Sequence, residues 1–178
     1  VEKLKAIVSL LILLALPVAP RADEKPFVDD ATSVDAPLCK SISSKVQQLT
    51  HATFDHFSTD RTAVYFSHPL AKNIVVGCQS RLFLNVSIET DVPYPSDQWF
   101  YLAALAGTAI TNLPEEKLEA DIRACQRQAL ADSTGNSDAN DMGVRLGCAA
   151  STDPAGTSIS FFLRDAINNQ VMGDNLAQ

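Results

Sequence analysis

The chain has 178 residues, with 14 Lys and Arg against 21 Asp and Glu, three His and four Cys. Its net charge of -7 leaves no basic face for nucleic acid or an anionic membrane surface, both of which are bound through clustered Lys and Arg. No nucleic-acid partner is expected.

In chain order, Lys3 and Lys5 precede an apolar run from Ala6 to Leu16, interrupted only by Ser9. The run falls short of the roughly 20 apolar residues needed to cross a bilayer and has the length of a signal-peptide core. Pro17 ends it, and Ala19 and Ala22 are small residues just before the charged Asp23-Glu24-Lys25. Residues 1–22 are therefore predicted to be a signal peptide cleaved within a few residues of Ala22, which leaves no stable membrane span. With no cysteine before Cys39, a lipid-modified N-terminus is not expected. Val in first position fits a bacterial alternative start, and the predicted destination is the periplasm or the medium.

Loss of that segment removes Glu2, Lys3, Lys5 and Arg21, leaving 20 acidic and 11 basic groups, a net charge of -9. The remainder is long enough for one core. All four cysteines lie in it, and an even number in an exported chain predicts two disulfides.

Residues 23–36 are charged, contain Pro26 and show no period, which predicts a flexible acidic leader. Residues 37–178 are predicted to form a single α+β domain. Its first element is a helix, with Asp35 as cap, Pro37 in the first turn and Cys39, Ile42, Val46 and Leu49 on one apolar stripe ending near Thr50. The period then changes to two. Ala52 to Phe57 and Arg61 to Ser67 predict a hairpin in which His56 shares a side with Phe54, and Asn73 to Cys78 and Leu82 to Glu89 predict two further strands.

Ser96 opens a helix that is apolar all round, from Trp99 to Ile110, and such a helix is buried on most sides. Asn112-Leu113-Pro114-Glu115 reads as a capping box for the next helix, with Leu118, Ile122, Cys125 and Ala129 inward. Asp132 to Met142 is polar and acidic and reads as a loop. Gly143 to Ser151 and Thr157 to Arg164 predict a last hairpin, followed by a short turn or helix over 165–171. The expected fold is an antiparallel sheet with helices packed on one face.

The halves echo each other. A helix with inward Cys39 leads to Val76-Gly77-Cys78, and a helix with inward Cys125 leads to Leu146-Gly147-Cys148; beyond this the halves do not align. Each cysteine lies on the apolar face of its element, and helix-to-strand bonds cross the layer interface most directly, since bonded α-carbons must come within about 7 Å. The echo then favours Cys39 with Cys78 and Cys125 with Cys148.

His51, Asp55 and His68, with Asp60 nearby, are the candidate catalytic or metal-binding set. Zinc sites pair histidines three or four apart on a helix, whereas these three histidines fall five and twelve residues apart, so no metal and no cofactor is predicted. Asn136, Asp138, Asn140 and Asp141 are oxygen-rich, but an EF-hand register would place Ala149 where a bidentate glutamate belongs. No nucleophile elbow, Cys-x-x-Cys, phosphate loop or dinucleotide-binding turn occurs. Tyr94, Trp99 and Tyr101, with Phe100, gather amphipathic aromatics at the start of the apolar helix and are the candidate ligand-binding residues.

Two functions remain. One is a non-enzymatic envelope module that binds a partner protein or small ligand through a groove near Trp99. The other is a secreted or periplasmic hydrolase whose His and Asp residues meet only in the fold. A histidine facing a carboxylate in a cleft would favour the enzyme; an apolar groove without convergent polar groups would favour binding.

Overall fold

A computed structural model describes residues 33–79, 84–141 and 144–163. The predicted signal peptide, most of the leader and the predicted terminal helix lie outside the described residues. The elements are α1 (Pro37–Thr50), β1 (Thr53–Phe57), β2 (Ala63–His68), β3 (Ala71–Cys78), β4 (Leu84–Thr90), α2 (Asp97–Thr111), α3 (Glu115–Ala131), β5 (Asn136–Asp141), β6 (Val144–Thr152) and β7 (Ala155–Leu163). The strands form one antiparallel sheet in the order β1-β2-β3-β4-β7-β6-β5. With its three helices, the protein is of the α+β class.

Strand periodicity builds the core. Ile74, Val76 and Cys78 of β3, Leu84, Val86 and Ile88 of β4, and Ile159 and Phe161 of β7 alternate onto one face and are buried. Cys39, Ile42 and Val46 of α1, and Leu118, Ile122, Cys125 and Ala129 of α3, complete the same cluster. α2 lies centrally, buried on most sides as its composition predicts. A Cβ at Gly107 would stand 2.6 Å from Cζ of Phe161, so glycine is what lets this helix settle onto the middle of the sheet. The outer sheet face carries Ser87 and Ser160 at its centre, their hydroxyls 3.0 Å apart, and the Arg145–Asp138 ion pair beside Phe162 toward the β5 edge.

The disulfides join Cys39 to Cys78 and Cys125 to Cys148, each with α-carbons 5.9 Å apart. The sequential helix-to-strand pairing is the one present.

The echo between the halves extends into the sheet register. Gly77 faces Ala63 on one side and Asn85 on the other; Gly147 faces Asp138 and Ser160. Exchanging these sets turns the pair Asn85–Phe162 into Ser160–Ser87, itself a pair, and leaves Val86–Phe161 as its own image. The order β2-β3-β4 meeting β7-β6-β5 thus has a pseudo-two-fold through Val86 and Phe161. Among the described residues β1 is the strand without a counterpart.

Several sequence expectations are corrected. Asn136–Asp141, placed in a loop, is the edge strand β5, paired residue by residue with β6. An edge strand draws its stability from ladder hydrogen bonds and tolerates acidic side chains, so it lacks an apolar signature. Asn112 is the left-handed C-cap of α2 (φ 58°), not an N-cap; α3 begins after Pro114 without a side-chain cap. Asp35 does not cap α1, whose N-cap position is Ala36; it binds Arg61 and Lys40 instead. Val34 and Ala36 are buried, so the last residues before α1 pack into the core. Finally, a bulge between Phe54 and His56 breaks the alternation of β1. Phe54 packs with Phe57 (centroids 4.9 Å), while His56 stacks on Tyr65 (4.4 Å).

Candidate functional site

Where the end of α1, the β2–β3 turn and the first half of α2 meet, they leave an open groove of about 510 Å³ lined by Leu49, Thr50, His51, His68, Leu70, Asp97, Gln98, Tyr101, Leu102, Leu105 and Glu119. Local chemistry explains how each wall is held. α1 stops at His51, which adopts a left-handed conformation (φ 56°), while the Thr50 hydroxyl donates to the Val46 carbonyl (2.6 Å) and accepts from the Ala52 amide (3.2 Å). This turns the chain directly into β1. Opposite, Pro69 and Leu70 make the tight β2–β3 connection, and the Leu70 N–H donates to His68 Nδ1 at 3.1 Å. α2 is started by Ser96, whose hydroxyl oxygen accepts from the Trp99 N–H at 3.3 Å. Its exposed side then presents Gln98, Tyr101 and Leu105 at helical spacing.

Two predicted histidines meet here. Thr53 opposes Ser67 across the hairpin, which carries His51 and His68 to the same end of it. The third member of the set, Asp55, is elsewhere: it is exposed at the β1 edge and binds its neighbour His56 at 3.0 Å. Asp60 is likewise absorbed locally, accepting from Ser58 and Thr62, whose hydrogen bonds hold its carboxyl below the usual aspartate range. Burial, reinforced by the proximity of His51, lowers the pKa of His68 from its ordinary 6.5. Neither His51 nor His68 bonds a carboxylate among the described residues.

The groove's own carboxylates are already engaged. Arg123 donates to Glu119 through Nε (2.9 Å) and Nη2 (2.7 Å), and its Nη2 also reaches Asp97 at 2.8 Å. Its guanidinium lies 4.3 Å from the centre of the Phe100 ring. Among the described residues, no group of three or more His, Cys, Asp or Glu is placed to hold a metal ion.

The predicted aromatic cluster is split by the start of α2. Tyr101, 48% exposed, lines the groove. Trp99, 2% exposed, belongs to the core, edge-on to Phe100 with its buried Nε1 lacking a hydrogen-bond partner among the described residues. Tyr94, 71% exposed, borders a separate polar cleft of about 640 Å³ beside the β6–β7 turn. The Pro93 carbonyl next to it is anchored by the Gln126 side-chain amide (2.7 Å) and the Thr157 hydroxyl (3.2 Å). Sequence reasoning missed Leu49, Leu70, Leu102 and Leu105 as groove residues. For Leu105 the apolar surround of α2 hides that this position stays partly uncovered.

Among the described residues no helix is long and apolar enough to cross a membrane. Two intramolecular disulfides with no free cysteine among the described residues point to an oxidising compartment. Compared with family models, curated proteins and solved structures, the chain matches none.

Proposed function

We propose that the protein is an exported, non-enzymatic binding module of the bacterial envelope, periplasmic or secreted, that takes a small ligand or an apolar segment of a partner protein in the groove beside α2. The observation that carries this reading is the groove's lining: four leucines and the Tyr101 ring give it a mainly apolar surface, while its acidic groups are paired with Arg123. Apolar walls with a few fixed polar groups are the usual composition of ligand sites. The order of basic, apolar and small residues over 1–22 supports export.

The same contacts weigh against a hydrolase. A histidine acting as general base is oriented by a carboxylate or carbonyl that accepts from its second nitrogen. At His68 that nitrogen instead accepts a backbone N–H.

The test uses N-phenyl-1-naphthylamine, a neutral probe that fluoresces in apolar surroundings. Saturable binding near one probe per chain is expected, weakened at least tenfold in a Leu70→Glu, Tyr101→Glu variant, where both substituted side chains are exposed and the fold is retained by circular dichroism. Absence of saturable binding, or equal binding by the variant, would overturn the reading.

A further inference from the structure

Resting on the groove as a binding site, we propose that its ligand is an amphipathic carboxylate, with an alkyl chain lying along α2 and its carboxylate held by His51 and His68. The argument starts from one hydrogen bond. Because the Leu70 N–H donates to His68 Nδ1, that nitrogen carries the lone pair, and the proton of the neutral ring sits on Nε2. His68 is therefore fixed as a donor, with His51 beside it at the same end of the groove.

The remaining walls decide the sign of the head group. An ammonium ligand would compete with Arg123 for the carboxylates here, since Glu119 and Asp97 each already give it one oxygen. A carboxylate needs donors, and the imidazoles provide them at the end where no acidic side chain is bonded to them. Leu49, Leu70, Leu102 and Leu105 add hydrocarbon to the lining, and the volume of about 510 Å³ lies within the range of small-molecule sites. The charged and titratable groups around the imidazoles are His51 from α1, Asp97 and Tyr101 from α2, and Glu119 with Arg123 from α3.

Calorimetric titration of the full chain with three ten-carbon probes tests this: decanoate, 1-decanol and decyltrimethylammonium, each below its aggregation threshold. Decanoate is expected to bind at least tenfold more tightly than decanol, and the ammonium most weakly. In a His51→Gln, His68→Gln variant decanoate should fall to the level of decanol. If decanol binds as well as decanoate, if the ammonium binds best, or if the double variant keeps the preference, the head-group assignment fails while the groove stands. If none of the three binds, the groove itself is refuted.

Discussion

The two halves of the sheet share a frame and differ at the rims. In each, a helix is stapled to the strand that carries Gly-Cys, with both pairs of α-carbons 5.9 Å apart, and both strand sets meet at Val86 and Phe161. At the rims the likeness ends. The second half closes with β5, where Asp138 pairs with Arg145 at 2.8 Å, a charged edge of the kind that discourages further pairing. The first half continues into β1, which carries the exposed Phe54 and Phe57 with His56, and the chain's other two histidines, His51 and His68, lie in the same half. Its β2–β3 turn and the end of α1 form the groove together with the first half of α2 and Glu119 of α3. The shared frame thus supplies the core, and the site is built from what the first half adds to it.

If the frame is shared, breaking it on either side should cost similar amounts, and this is the largest effect expected. Replacing Cys39 and Cys78 by Ala, or Cys125 and Cys148, opens loops with separations of 39 and 23 residues. Chain entropy assigns each bond about 3 to 4 kcal/mol, with the longer loop worth about 0.5 kcal/mol more. Urea unfolding of the two double variants should rank them in that order. A loss confined to one of them would show that one half holds the fold by itself.

The paired glycines sharpen the comparison on a smaller scale. A Cβ at Gly77 would overlap the Asn85 side-chain oxygen, whereas at Gly147 the nearest atoms, Asp138 Oδ1 and Phe162 Cε2, are 3.4 Å away. Gly77→Ala should therefore destabilise by about 1 kcal/mol as Asn85 is displaced from Ser87, to which its amide donates at 3.0 Å. At Gly147 the lower chain entropy of alanine should leave the variant neutral or more stable by up to about 1 kcal/mol. Thermal melts of both variants decide it, and equal shifts would mean that the two strands are equivalent even in their outer-face packing.

The frame was legible in the sequence because it rests on apolar periodicity. Cys39, Ile42 and Val46 mark their helix face, Val86 and Ile88 their strand face, and the repeated Gly-Cys marks the relation between the halves. Features set by backbone hydrogen bonds or by local breaks in period were not legible. β5 has no apolar stripe because an edge strand needs none. The bulge in β1 reversed the side of His56, and Asn112, which resembled an N-cap, ends α2 in the left-handed region that asparagine tolerates. Of the site, His51 and His68 were legible as candidates but not as neighbours. Tyr94 and Tyr101 looked adjacent in sequence, yet the helix starting between them sends one to a polar cleft and the other to the groove.

The smallest expected effect is in pH dependence, where the halves part again. In both, exposed aspartates are held below their ordinary 3.8: Asp35 by hydrogen bonds from Arg61 and Lys40, and Asp132 by those from Thr134. For a lowered carboxyl, the stability contributed is complete above about pH 3.8 and is lost as the pH falls through the lower folded value. That acid limb belongs to both halves, and Asp35→Asn or Asp132→Asn should each remove part of it. His68 obeys the same sign at higher pH. Its folded pKa lies below 6.5 because burial disfavours the charged ring and His51 stands beside it, so the unfolded chain binds the proton more readily. Stability present above 6.5 is then lost as the pH falls through the folded value. With no histidine in the second half, this limb belongs to the first half. Melting temperatures followed from about pH 8 to 5, the range in which histidines titrate, should fall in the parent and less so in His68→Gln, while Asp132→Asn follows the parent. Hydrogen exchange at the two ends of that range should place the loosening in β1, β2 and the end of α1. An equal fall in His68→Gln, or loosening spread over β5 to β7, would separate the near-neutral limb from the groove and from the half that carries it.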